Sequence, residues 1–259
     1  MLFFCRSAVG AGSAEIWVTN PWLSMIARFI GGAHVTVRPL VVWNDSGVQE
    51  KTRKEPPVGT LVFAVDNEEI IRFLGQGGLE RPKTFRLFEK GFPGGNRDEN
   101  FLDPAALPFI ALRLLDILSA SEPSNYSYYQ RRLAEFQARL DSTVIVGRNM
   151  IGSKSLLDLS WKYGRWLQAS AGKVVRPPDA VKNGWASGKG IEVLETALEE
   201  AVRQKWLIVT DPWTPGFIRE RVGKMPGSIE LPRPDIDQDM ILFLYEIYLQ
   251  IWDYSRESS

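Results

Sequence analysis

Two tryptophans in similar settings carry the first chemical signal. Trp22 follows Asn20-Pro21, and Trp213 follows Asp211-Pro212, each just after a short apolar run that reads as a strand. Ligands of α/β sheets bind beyond the carboxyl ends of the strands, so both indoles, and Asp211 with them, stand where a cleft would expose them. Trp43 ends another such run and is followed by Asn44 and Asp45. An aromatic-lined cleft suits an organic ligand, or a cation held over a ring face, better than a bare metal ion. Trp185 is placed in a loop, and Trp161 and Trp166 on one helix; a core is the ordinary place for each. Arg97, Asp98, Arg148 and Lys154 fall in or beside loops expected to rim the same cleft. Solvated loop charges are their ordinary reading, but two converging basic side chains would attract an anionic cargo.

The same inventory excludes most catalytic chemistry. His34 is the only histidine and enters a strand after a Gly-Gly turn, where a surface or capping role is expected. A serine triad would need it as base, and no G-x-S-x-G elbow exists. Cys5, the only cysteine, excludes an internal disulfide and a cysteine-based metal site. The glycine runs at Gly10–Ala14 and Gly75–Gly78 lack the strand-to-helix context of a nucleotide loop and read as turns. An enzyme is therefore not expected. The 31 basic and 31 acidic side chains cancel, which argues against nucleic acid as a partner. No apolar run is long enough to span a membrane. Residues 1–14, apolar and small-residue-rich, read as the remnant of an export signal.

These residues need a scaffold that puts strand ends opposite each other. Glu15–Thr19, the run from His34 to Trp43, Leu61–Asp66 and Thr84–Glu89 read as strands, with helices from about Pro21 to Ile30 and Glu68 to Leu74 between them. Asn44–Gly59 and Gly91–Asn100 read as loops. Pro104–Ser119 and Pro123–Leu140 show helical faces. In the second half TVIVG (Thr143–Gly147), the stretch KVVRPP, Trp206–Pro212 and the stretch GSIELP read as strands. Ser155–Leu167, Ile191–Gln204 and Ile236–Asp253 read as helices. The expected fold class is α/β, with two lobes, each a mainly parallel sheet flanked by helices, joined by one linking helix. The boundaries are 15–118, 119–141 for the linker and 142–259.

In order and spacing, several segments resemble the zinc- and manganese-receptor family of periplasmic solute-binding proteins that feed ABC transporters. They are IWVTNPWLSMIARFIGGAHVTVRPLV, LVFAVDNEEIIRFL, NFLDP, WKYGRWL and WLIVTDPWTP. The resemblance implies two lobes joined by a long helix, here read as shortened because TVIVG follows Asp141 almost at once. It also implies a divalent cation between the lobes, held by histidines and a carboxylate. This chain departs from that pattern at nearly every ligand position. The first falls near Trp43, Asn44 and Asp45, and the second on Glu99, four residues before Asp103. The third falls on Ser153, or on Arg148 or Asn149, and the fourth near Glu230 or Asp235. Glu99 and Asp235 are the metal-ligand candidates that remain. A zinc site of the family's type is not expected, and the cofactor is unknown. An all-oxygen set of Glu99, Asp45 and Asp235 would favour Mn, Mg or Ca.

The resulting expectation is a non-enzymatic extracytoplasmic solute-binding protein. It would deliver a metal ion, metal complex or small organic molecule to an ABC permease. The alternative is an accessory module that keeps the fold without metal and recognises a protein or peptide through exposed tryptophans.

Overall fold

The computed structural model describes residues 13–81, 83–88 and 97–257. Cys5 and most of the expected export-signal remnant lie outside them. The first lobe contains β1 (Ala14–Val18), α1 (Pro21–Gly31), β2 (Val35–Pro39), β3 (Val41–Trp43), β4 (Gln49–Lys51), β5 (Leu61–Ala64), α2 (Asn67–Leu74) and β6 (Thr84–Arg86). Next come α3 (Arg97–Asn100), α4 (Leu107–Ser121) and α5 (Tyr126–Ile151). The second lobe contains β7 (Ser155–Asp158), α6 (Gly164–Gln168), β8 (Lys173–Val175), α7 (Asp179–Ala186), α8 (Ile191–Arg203), β9 (Leu207–Thr210), α9 (Gly216–Val222), β10 (Ser228–Glu230) and α10 (Met240–Glu257).

Each lobe is built on one four-stranded sheet, ordered β2-β1-β5-β6 and β10-β9-β7-β8, and every neighbour in both is parallel. Parallel strands packed on both faces read as unbroken apolar runs, which is why Ile16–Val18, Val62–Val65, Leu156–Leu159 and Ile208–Val209 are all buried. The two sheets share a topology: the chain winds outward in both directions from β1 and β5 in one lobe, and from β7 and β9 in the other. β3, the end of the run read as one strand from His34 to Trp43, forms a separate antiparallel hairpin with β4, which lies inside the segment Asn44–Gly59 read from sequence as loop.

The linking helix overturns the expectation of a shortened connection. α5 is 26 residues long, and TVIVG lies inside it. Its β-branched run suggests a strand, but tertiary packing overrides that preference. Phe136, Leu140, Thr143, Gly147 and Ile151 are buried at helical spacing, and the Thr143 hydroxyl donates to the Arg139 carbonyl at 2.8 Å. The strand expected there is supplied by β7, part of the stretch read as helix. Trp161 precedes α6 rather than sharing it with Trp166, and Trp185 lies buried in α7, donating to the Gly190 carbonyl at 2.9 Å.

Of three apolar clusters among the described residues, the largest passes through both lobes. It joins α1, α4 and β1 to α5, β9 and α10, with Phe29 edge-on to Phe136 and Trp166 stacked on Tyr248. α1 is buried over all but Arg28, because sheet, α4, α5 and α10 surround it.

Candidate functional site

In each sheet the strand order reverses at one place, and an α/β fold opens its ligand crevice there. Both reversal points hold a buried carboxylate of the chain itself. Between β1 and β5, Glu69 accepts from the Thr19 hydroxyl at 2.6 Å, Asn20 Nδ2 at 2.9 Å and the Val65 amide at 2.9 Å. Asn20 also caps α1, its Oδ1 accepting from the Trp22 and Leu23 amides. Between β7 and β9, Asp211 accepts from the Trp161 and Lys162 amides, both at 2.8 Å, and from the Thr214 amide at 2.7 Å. Burial pushes both carboxyls above their ordinary range despite these donors. The two acids order the turns that carry Trp22, Trp161 and Trp213.

Those turns meet. The Trp22 and Trp43 rings lie edge to face at 4.7 Å, and Trp213 of the second lobe stands 6.0 Å from Trp22 and 6.4 Å from Trp43. Phe243 of α10 and Tyr163 extend the cluster. Trp213 donates its indole N–H to the Gly47 carbonyl at 2.8 Å, tying the second lobe to the β3–β4 turn. Gly47 has φ 76° and no room for a side chain, since a Cβ would stand 2.9 Å from that indole nitrogen. The Trp22 and Trp43 indole N–H groups are buried and find no acceptor among the described residues. Beside Trp43, a cavity of about 420 Å³ is lined by Val42, Trp43, Arg233, Pro234, Asp235 and Ile236, drawn from both lobes. The Arg233 guanidinium stands 6.0 Å from the Trp43 ring centroid.

A second set of contacts crosses the cleft as charge. Arg176, just past β8, donates Nη1 to Asp158 Oδ2 at 2.6 Å and to the Ser160 carbonyl at 2.8 Å, and Nη2 to Glu99 Oε1 at 2.7 Å. Lys162 donates to Asp98 at 2.7 Å. Lys182, 3% exposed, donates to the Ser160 carbonyl at 3.1 Å and lies 4.9 Å from the Trp161 ring centroid. Burial, and then Arg176, hold Lys182 below its ordinary pKa. Burial also pushes Glu99 up, more than Arg176 draws it down. Burial works against the Arg176 charge too, yet Asp158 and Glu99 hold that side chain above its usual value.

Of the residues singled out from sequence, Trp22, Trp43 and Trp213 come together, with Asp211 buried behind Trp161 and Glu99 on the same inter-lobe face. Asp235 is exposed at the rim of the cavity beside Trp43, and Asp45 is exposed in the β3–β4 turn. Glu230 pairs with Arg219. Arg148, Asn149, Ser153 and Lys154 stand elsewhere. With TVIVG helical, they precede β7 instead of following a strand, which puts them at the opposite edge of the sheet from Asp158. Arg148 donates there to the Ala169 carbonyl at 2.9 Å. Their placement corrects the expectation that they rim the cleft. Among the described residues, no three of His, Cys, Asp and Glu converge as a metal-binding group, so the residues present do not fit a family-type metal site. His34 packs edge-on to Tyr128 at 4.5 Å, beside the start of α5.

Arg176, Lys162, Lys182, Asp158 and Glu69 were missed. One signal existed for Arg176: it is a charged residue at the carboxyl end of a strand correctly read from sequence, the same rule that selected Trp22 and Trp213.

No protein-family model matches the chain, and no curated protein matches it in sequence. Solved structures do. ZnuA superposes with a TM-score of 0.65 at 14% identity, covering 93% of this chain and 98% of that one. The solute-binding protein FpvC of Pseudomonas aeruginosa, solved with Mn2+, gives 0.60 at 14% identity over 95% and 100%. The Zn(II)-bound ZnuA-like domain of Streptococcus pneumoniae AdcA gives 0.60 at 15% identity over 93% and 98%. Two parallel sheets, one long connecting helix and near-complete coverage give this chain the fold of the metal-binding solute-binding proteins.

Proposed function

We propose that this chain is an extracytoplasmic solute-binding protein that passes a small organic molecule or a metal complex to an ABC permease. One observation carries the reading: the tryptophan cluster at the facing strand ends, with the two-lobed cavity beside Trp43. Indole faces supply apolar contact area, and Arg233 and Asp235 supply charge of either sign at the rim. That combination orients a small amphipathic ligand. The N–H of Trp43, which lines that cavity, is a donor in want of an acceptor, which a ligand oxygen would satisfy. A bare cation would find only Asp235 among the charged oxygens lining the cavity. The fold's relatives support the transport partner, and the periplasm as its place of work follows from the same reading.

A second reading, an accessory protein- or peptide-binding module, is favoured by one fact: ion pairs between the chain's own side chains bridge the lobes. Thermal-shift screening of purified protein separates the two. Organic acids, amines and chelated metals are compared with free Mn2+ and Zn2+, since any ligand of the native state raises the midpoint by mass action. The transport reading expects an organic molecule or a chelate to raise the midpoint, and Trp43→Ala to abolish the rise. A flat screen, together with a co-purifying protein other than a permease, would favour the accessory module.

A further inference from the structure

The place that the resemblance assigns to a cation is taken by a side chain. Glu99, one of the two metal-ligand candidates that the resemblance left, is faced by a guanidinium. Arg176 is held by three oxygens: Asp158 Oδ2 at 2.6 Å, Glu99 Oε1 at 2.7 Å and the Ser160 carbonyl at 2.8 Å. One oxygen comes from the first lobe and two from the second. Two carboxylates and a carbonyl are oxygens of the kind that a hard divalent cation takes, and the Ser160 carbonyl is shared with Lys182 at 3.1 Å. The three side chains are enclosed, Arg176 at 12% exposure, Glu99 at 14% and Asp158 at 0%. The backbone makes room for this arrangement. A Cβ on Gly164 would stand 2.5 Å from Arg176 Cζ and 2.6 Å from Nη1, so only glycine at the start of α6 lets the guanidinium lie where it does.

We propose that Arg176 is a built-in substitute for the inter-lobe cation: it excludes metal from this cleft and clasps the lobes without any. The guanidinium hydrogen-bonds both carboxylates and ties first lobe to second, as a bound divalent ion would, but it cancels one of their two charges and cannot dissociate. Lys162 on Asp98 adds a second tie of the same sign. The clasp is independent of what the cavity beside Trp43 binds, and stands whether or not the chain works with a permease.

The test uses purified full-length protein in chelator-treated buffer. Wild type, Glu99→Gln, Arg176→Ala, and Arg176→Ala combined with Glu99→Gln are titrated with Mn2+ and with Zn2+ by calorimetry, and each is melted with and without the ion. Wild type should show no heat that Glu99→Gln removes, and no rise in melting temperature. Arg176→Ala should melt lower, take up about one equivalent of Mn2+, and recover part of the loss on saturation. Adding Glu99→Gln should weaken that uptake at least tenfold. If Arg176→Ala does not fold alone, refolding it with Mn2+ should restore a cooperative melt. Gly164→Ala should lower the wild-type melting temperature but cost nothing further once Arg176 is alanine. The proposal is overturned by Glu99-dependent metal binding in wild type. It is equally overturned by an Arg176→Ala protein that no divalent ion binds or rescues, or by additive Gly164 and Arg176 effects.

Discussion

Glu69, Glu99 and Asp211 share one physical condition: each is an acid whose burial outweighs the donors and cations around it, so each carboxyl sits above its ordinary value. The sign of the resulting pH dependence follows from linkage. A folded-state pKa above the unfolded one means that folding takes up a proton. The associated stability is full below the unfolded pKa and is lost as pH rises through the folded one. For Glu69 the window opens near its ordinary 4.5. The stability advantage of wild type over Glu69→Gln should therefore shrink as pH rises from that value, measured as urea midpoints of both proteins. An advantage that grew with pH would mean that the Thr19, Asn20 and Val65 donors outweigh burial. Asp211 shows why such a group is retained at all: without it the Trp161, Lys162 and Thr214 amides lose their acceptor. A buried donor left unsatisfied costs about 1–3 kcal/mol.

At the scale of elements, α5 decides how the lobes sit. Its contact with α10 is tight at Gly147, where a Cβ would stand 2.3 Å from Tyr248 Cε2. Tyr248 cannot easily yield, because its hydroxyl lies 2.6 Å from Ser170 Oγ and its ring stacks on Trp166 at 5.0 Å. Glycine inside a helix ordinarily weakens it by about 1 kcal/mol relative to alanine. Here the sign should reverse. Gly147→Ala should destabilise the protein by about 1–3 kcal/mol through overpacking, read as a lower denaturation midpoint with an unchanged slope. A more stable variant would show that α5 and α10 can separate to admit the methyl group.

For the whole molecule, the continuous core and the charged clasp act together. The apolar cluster runs from the first sheet through α1 and α5 into the second, so opening the lobes would expose buried aromatic surface and also separate Arg176 from Glu99. Breaking a buried pair by removing one partner costs about 3–5 kcal/mol. Small-angle scattering of wild type should accordingly give the same radius of gyration with chelator and with added Mn2+. Contraction on adding the metal would mean that an open form is populated and that a cation closes it.

The lobes, the parallel sheets and the order of most elements were legible in the sequence, because buried parallel strands and amphipathic helices leave local periodic signatures. So was the place of the three tryptophans, since the residue after a strand's carboxyl end is fixed in place by connectivity alone; their exposure was not, because packing buries Trp22 and Trp43. TVIVG was not legible. Its β-branched run has a strand's local preference, and only the packing of Gly147 and Ile151 against other elements makes it helical. That one reversal carried Arg148 and Ser153 to the wrong edge of the sheet. The guanidinium between Glu99 and Asp158 was not legible either. Seventy-seven residues separate Arg176 from Glu99, and no spacing rule links them. Side-chain identity and local periodicity are written in the chain, but which charge neutralises which depends on distances that exist only once both lobes are packed together.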